Sequence, residues 1–291
     1  MSGYRPWRIT GRDSVRLAVR DYGDPLAEGA PMLCLSGLTR TAADFDAFAH
    51  HHAAHRRVVA FDYRGHGNSE RAGRASGYAP ENLLDDVLQV TAALNLDRPV
   101  VLGTSLGGSL AMALAVAAPT RIRATILNDI GPEIPNATMG RILDIVGRDH
   151  PQDTWAQAAE AIPRIYPNLG VTDADTLMAI AKTTFVAGGD GRLHVNWDPR
   201  IVQPLRRAAS RDMWPLFGAL RPFQVLALRG RQSDVLTPPI LARMQADKPD
   251  LAVAEVAGRG HAPLLDEPES KAAIDDFLTR LDGPVHHSSR L

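Results

Sequence analysis

Near the N-terminus, apolar and polar residues alternate in Arg8-Ile9-Thr10 and again in Val15-Arg16-Leu17-Ala18-Val19-Arg20-Asp21-Tyr22, either side of Gly11-Arg12-Asp13. That spacing predicts an antiparallel hairpin. The pattern then changes to short, almost uniformly apolar runs at Pro31–Leu35, Arg57–Phe61, Val100–Leu102, Ala124–Leu127, Phe223–Leu228 and Leu251–Val256. Between these lie segments with apolar residues at helical spacing, roughly 42–50, 81–94, 108–118, 239–247 and 269–281. Strands that are apolar throughout, alternating with helices, predict an α/β fold: a mostly parallel central sheet with helices on both faces. The rhythm stops between residues 132 and 212, where helical pieces are punctuated by seven prolines (Pro132, Pro135, Pro151, Pro163, Pro167, Pro199 and Pro204) and no strand of the earlier kind occurs. The expected organisation is a core formed by 1–131 and 213–291, with 132–212 inserted as a helical cap over the carboxyl edge of the sheet.

Composition narrows the function classes. Lys and Arg total 32 against 33 Asp and Glu, so the net charge of −1 offers no basic excess for nucleic acid or an anionic membrane. The single cysteine, Cys34, sits in the apolar run Met32-Leu33-Cys34-Leu35 and reads as a buried small residue. The first residues lack the apolar core of a signal peptide, and no apolar stretch is long enough to span a bilayer. A soluble, cytoplasmic protein acting on a small molecule is expected, with the oligomeric state left open.

The chemistry concentrates at Gly103-Thr104-Ser105-Leu106-Gly107, where a strand signal runs in and a small-residue helix runs out. Strand, sharp turn and helix is the setting in which G-x-S-x-G presents a nucleophilic serine, and the helix N-terminus behind it favours developing negative charge. A serine hydroxyl needs a base, and the base needs an orienting acid. His261, in Gly258-Arg259-Gly260-His261-Ala262-Pro263 beyond the last strand, is the expected base. Two acids compete. Asp234, after the strand ending at Leu228, is preferred because it follows the strand that the order serine, acid, histidine calls for; Asp129, after the strand at 124–127, is the alternative. An oxyanion needs two convergent N–H groups, expected from Leu106 and from Leu38 in the turn Ser36-Gly37-Leu38-Thr39-Arg40.

Ser36-Gly37-Leu38, Phe61-Asp62-Tyr63-Arg64-Gly65-His66-Gly67-Asn68-Ser69, Gly103-Thr104-Ser105-Leu106-Gly107-Gly108, Ser233-Asp234 and Gly260-His261 together resemble the α/β-hydrolase fold family. Within it the chain is most similar to capped enol-lactone hydrolases, carboxylesterases and carbon–carbon bond hydrolases. The resemblance implies an ester- or lactone-cleaving serine hydrolase working through an acyl-enzyme. The alternatives are a ring-fission dienoate hydrolase using the same triad, with Arg40, Arg164 or His194 holding the dienoate, and a non-catalytic binding protein on the same fold. Ser36 stands where the family usually has histidine, and Ser105 argues against epoxide hydrolases and haloalkane dehalogenases, which carry aspartate at the elbow. Arg64-Gly65-His66-Gly67 resembles the family's structural turn, so His66 is assigned no chemistry.

Arg40 is a candidate for a substrate carboxylate, and Trp155, Tyr166, Phe185, Trp197 and Trp214 are candidates for the pocket wall. No G-x-G-x-x-G follows the first strand and no P-loop is present, so no cofactor is expected. His51 and His55 are one helical turn apart in a histidine-rich run, but no neighbouring carboxylate or cysteine completes a ligand set, so no metal is expected.

Overall fold

The computed structural model describes residues 3–209 and 211–283; the polar tail with His286 and His287 lies outside the described residues. The hairpin forms as β1 (Arg5–Thr10) and β2 (Arg16–Tyr22), paired antiparallel. The apolar runs become β3 (Gly29–Leu35), β4 (Arg56–Phe61), β5 (Val100–Thr104) and β6 (Ala124–Asn128). Between them come α1 (Asp46–His52, after a 3-10 turn at Ala42–Phe45), α2 (Pro80–Ala93) and α3 (Leu106–Ala117). After the insertion follow β9 (Gln224–Gly230), α9 (Pro238–Asp247), β10 (Ala252–Val256) and α10 (Pro268–Asp282).

These strands make one eight-stranded sheet in the order β1-β2-β4-β3-β5-β6-β9-β10, parallel from β4 onward. Its two faces bury separate apolar clusters. Leu33, Val59, Val101 and Leu127 point to one, with α2 and α3; Met32, Val58, Leu102 and Ile126 point to the other, with α1 and α10. Burial on both sides is why these strands read as continuous apolar runs.

The insertion holds α4 (Asn136–Val146), α5 (Trp155–Ile165), α6 (Ala174–Thr184) and α7 (Val202–Ala208), and α8 (Trp214–Gly218) follows it at the return to the core. It also contains a short antiparallel hairpin that the sequence did not suggest, β7 (Phe185–Ala187) with β8 (Leu193–Val195), turning at Gly188-Gly189-Asp190-Gly191. Three-residue strands are too short to show a two-residue alternation, so they escaped the pattern. Among the described residues, no helix is long and apolar enough to cross a membrane.

Candidate active site

Ser105 stands between β5 and α3 with φ 52° and ψ −115°, a conformation that costs a non-glycine residue energy and is held by its surroundings. What holds it is close packing that tolerates no side chain. A Cβ on Gly107 would lie 2.1 Å from the Leu35 carbonyl oxygen, and one on Gly103 would lie 2.4 Å from the Gly107 carbonyl. Strand and helix therefore meet at backbone contact, and the serine is left projecting at the strand's end.

His261 lies in the loop between β10 and α10. Its Nε2 is 3.0 Å from Ser105 Oγ, and its Nδ1 is 2.8 Å from Asp129 Oδ2. Asp129 is fully buried at the end of β6, with φ 56°, which turns its side chain out of the strand path. Its Oδ1 accepts the Gly230 N–H at 2.8 Å, and its Oδ2 also accepts the Ser233 hydroxyl at 2.5 Å. Ser233 Oγ in turn accepts the N–H groups of Val235 (3.1 Å) and Leu236 (3.2 Å). The carboxylate is thus fixed by three donors, one of them the imidazole.

The preference for Asp234 is corrected by this geometry. Asp234 makes no hydrogen bond to His261; it forms an ion pair with Arg141 of α4, and Thr138 donates to its carbonyl oxygen. Burial alone would raise the Asp234 carboxyl, but the Arg141 hydrogen bond and charge outweigh it and hold it below the ordinary carboxylate range. Asp234 tethers the insertion to the loop after β9 and lines the pocket, where Asp129 has the imidazole.

The turn after β3 packs beside the elbow. Gly107 N–H donates to the Ser36 carbonyl at 3.1 Å, and the Gly37 Cα carries its open side toward Ser105, whose Cβ lies 3.7 Å from a Cβ built there. The Leu106 N–H, in the first turn of α3, and the Leu38 N–H donate to no protein acceptor among the described residues. Both remain available to a ligand oxygen. His66, given no role by the sequence, reaches this turn: its Nε2 is 2.6 Å from the Leu38 carbonyl oxygen, and its ring packs edge-on to Tyr63, whose hydroxyl donates to the Ser36 carbonyl. Burial pushes the His66 imidazole below its usual value, favouring the neutral ring with one N–H to donate.

Ser105 and His261 open into a cavity of about 460 Å³. Its wall is largely apolar, with Ile142, Ile145, Ile165 and Ile180 contributed by the insertion. Of the expected pocket residues, Arg40 and Tyr166 line it. Arg40 is already committed: Asp44 takes Nε and Nη2 at 2.6 and 2.7 Å, Thr184 takes Nη1 at 2.9 Å and Thr183 takes Nη2 at 3.1 Å. It joins the turn after β3 to α6 and packs over the Tyr166 ring.

The remaining aromatics do not line this cavity. Trp197 and Phe185 are buried packing residues, Trp197 donating its indole N–H to the Val146 carbonyl at 3.0 Å. Trp155 is 37% exposed at the start of α5. Trp214 lies under the Arg243 guanidinium, 3.7 Å from ring centroid to Cζ, in a separate groove. Spacing alone cannot say which surface a large aromatic side chain packs against, or whether it stays at the surface as Trp155 does.

A family model for the alpha/beta hydrolase fold matches residues 30–268. The chain belongs to that family. It is 31% identical to a 3-hydroxybutyrate-oligomer hydrolase of Cupriavidus necator, aligned over 91% of this chain and 93% of that protein. It is 26% identical to a 2-(acetamidomethylene)succinate hydrolase of Mesorhizobium japonicum, over 91% and 92%. A crystal structure of an alpha/beta hydrolase from Novosphingobium aromaticivorans superposes with a TM-score of 0.87 at 39% identity, covering 96% of this chain and 99% of that one. The fold, the mostly parallel sheet with flanking helices, and membership in a family of hydrolases are thereby shown.

Proposed function

We propose that this chain is a serine hydrolase that cleaves a carboxylic ester or lactone through an acyl-enzyme, with Ser105 as nucleophile, His261 as base and Asp129 as orienting acid. The observation that carries this reading is the unbroken relay from Ser105 Oγ through His261 to Asp129, with contacts of 3.0 and 2.8 Å. Asp129 keeps the imidazole proton on Nδ1, leaving Nε2 free to take the serine proton. Ser105 attacks the carbonyl carbon, and the Leu38 and Leu106 N–H groups receive the oxyanion. The imidazolium returns the proton to the leaving oxygen, and water repeats the sequence on the acyl-enzyme.

Esters of short hydroxy acids are the substrate class to try first. The relative from Cupriavidus necator is named for 3-hydroxybutyrate oligomers and aligns along nearly its whole length. An apolar cavity of about 460 Å³ suits a few such units. Carbon–carbon cleavage of a dienoate is supported less well. Arg40 is held by Asp44, Thr183 and Thr184; Arg164 is exposed and outside the cavity; and His194 is clamped between Asp149 and Asp190.

The test is hydrolysis of the 3-hydroxybutyrate dimer, p-nitrophenyl butyrate, a simple enol lactone and a ring-fission dienoate by the wild type and by Ser105→Ala. The proposal expects ester or lactone turnover that falls by about 10⁴- to 10⁶-fold in the variant. Turnover of the dienoate alone would overturn the substrate assignment, and a fully active Ser105→Ala would overturn the mechanism.

A further inference from the structure

The histidine-rich run lacks a carboxylate in its own sequence neighbourhood, and the fold supplies one from far along the chain. Helix α1 ends at His52, so His55 is not one helical turn from His51 on the same helix, as the spacing suggested. Instead Asp275 of α10 faces the end of α1. Its Oδ2 is 3.4 Å from His51 Nε2, and its Oδ1 is 3.8 Å from His52 Nδ1. Among the described residues, no other trio of His, Cys, Asp or Glu side chains brings one ligand atom each within 4.8 Å.

An ordinary ion pair does not account for this arrangement. Charge-assisted hydrogen bonds close to about 2.7–2.9 Å, and neither contact does. The Asp275 carboxylate has no lysine or arginine partner among the described residues, and the nearby Arg56 is taken by Asp282 at 2.9 Å. His52 is only 6% exposed, and neither ring nitrogen has a protein hydrogen-bond partner among the described residues. Ligands about 2.0–2.1 Å from a tetrahedral ion lie about 3.3–3.4 Å apart; the His51–Asp275 separation fits that spacing, and because the three ligand atoms lie within 4.8 Å of one another, the other pairs close by up to about 1.5 Å on binding.

We propose that His51 Nε2, His52 Nδ1 and Asp275 form a site for a divalent ion of the zinc class, with water completing the tetrahedron. Two imidazoles and a carboxylate are a donor set for zinc or cobalt(II) rather than calcium or magnesium, which take oxygen ligands. The ion ties α1 to α10 on the face of the sheet that carries the Met32 and Ile126 cluster. Its role is to hold the last helix against the core, and it takes no part in the chemistry at Ser105.

The experiment uses the full chain without an affinity tag, stripped with chelator. Zinc chloride is titrated calorimetrically, and cobalt(II) is added separately to read its visible absorption. The wild type binds one ion per chain, gives the intense tetrahedral cobalt band and gains Tm. His51→Ala and Asp275→Asn each weaken binding by at least about tenfold while the metal-free Tm stays near wild type. His55→Ala and His261→Ala keep the binding, which separates the site from the exposed histidine and from the catalytic one. No stoichiometric binding, or binding unchanged in Asp275→Asn, overturns the proposal. Asp275 is half exposed, so its isosteric variant folds even if His51→Ala does not.

Discussion

Replacing Asp129 by asparagine separates the two carboxylates that compete for His261. The variant keeps the side chain's shape but must turn an amide N–H toward one of three donors. Facing Gly230, it opposes an N–H that now donates to Oδ1 at 2.8 Å. Facing His261 and Ser233, it forces Nδ1 to become the acceptor and moves the ring proton to Nε2, against Ser105 Oγ. The base is then blocked, and kcat falls by about 10⁴-fold, a barrier increase of about 5 kcal/mol. Asp234→Asn removes the ion pair with Arg141, whose side chains are 30% (Asp234) and 41% (Arg141) exposed, and leaves His261 and Asp129 untouched. Such a pair contributes about 0–1 kcal/mol, and kcat stays within about tenfold of wild type. Initial rates on p-nitrophenyl butyrate, with melting curves to confirm folding, decide between them. An active Asp129→Asn beside a dead Asp234→Asn refutes the reasoning.

Four further outcomes follow from the same geometry. Ser233→Ala removes a donor from Asp129 and an acceptor from two N–H groups, so kcat falls by about 10- to 100-fold and Tm drops; steady-state kinetics and a melt read both. His66→Leu frees the Leu38 carbonyl and lowers kcat with little change in KM, and His66→Gln, which returns an N–H, recovers most of it. Gly107→Ala drives a Cβ to 2.1 Å from the Leu35 carbonyl oxygen and costs several kcal/mol, seen as loss of the folded fraction in a denaturant melt. His194 is raised above its ordinary value by its hydrogen bonds to Asp149 and then Asp190. Its clamp therefore stabilises fully below about pH 6.5 and fades as pH rises through the raised folded value, so the Tm gap between wild type and His194→Gln is open near pH 6 and closed near pH 9.

The elbow could be read from the chain because its requirements are local. Gly103 and Gly107 are there to let β5 and α3 touch, and any sequence that makes this turn must carry small residues at those places. The acid could not be read in the same way. Strands β6 and β9 are neighbours in register, Asn128 opposite Leu228, so Asp129 and Asp234 both emerge at the same sheet edge. Which one meets His261 depends on the Asp129 backbone turn and on Arg141 arriving from α4 to claim Asp234.

The cavity wall was equally hidden. Isoleucines at helical spacing on α4, α5 and α6 line it, whereas the conspicuous tryptophans pack elsewhere, because the insertion's tertiary packing assigns those faces. His66 and Ser233 stood inside quoted motifs, but their partners, the Leu38 carbonyl and the Asp129 carboxylate, are 28 and 104 residues away.

The central claim is an activated serine at position 105. The most direct measurement is the intact mass of the wild-type chain after a fluorophosphonate, with Ser105→Ala and Asp129→Asn treated alongside. The account predicts one adduct on the wild type, mapped to Ser105, absent from Ser105→Ala and formed far more slowly in Asp129→Asn. A folded wild type that takes up no phosphonate, or takes it up equally without Ser105, would contradict it.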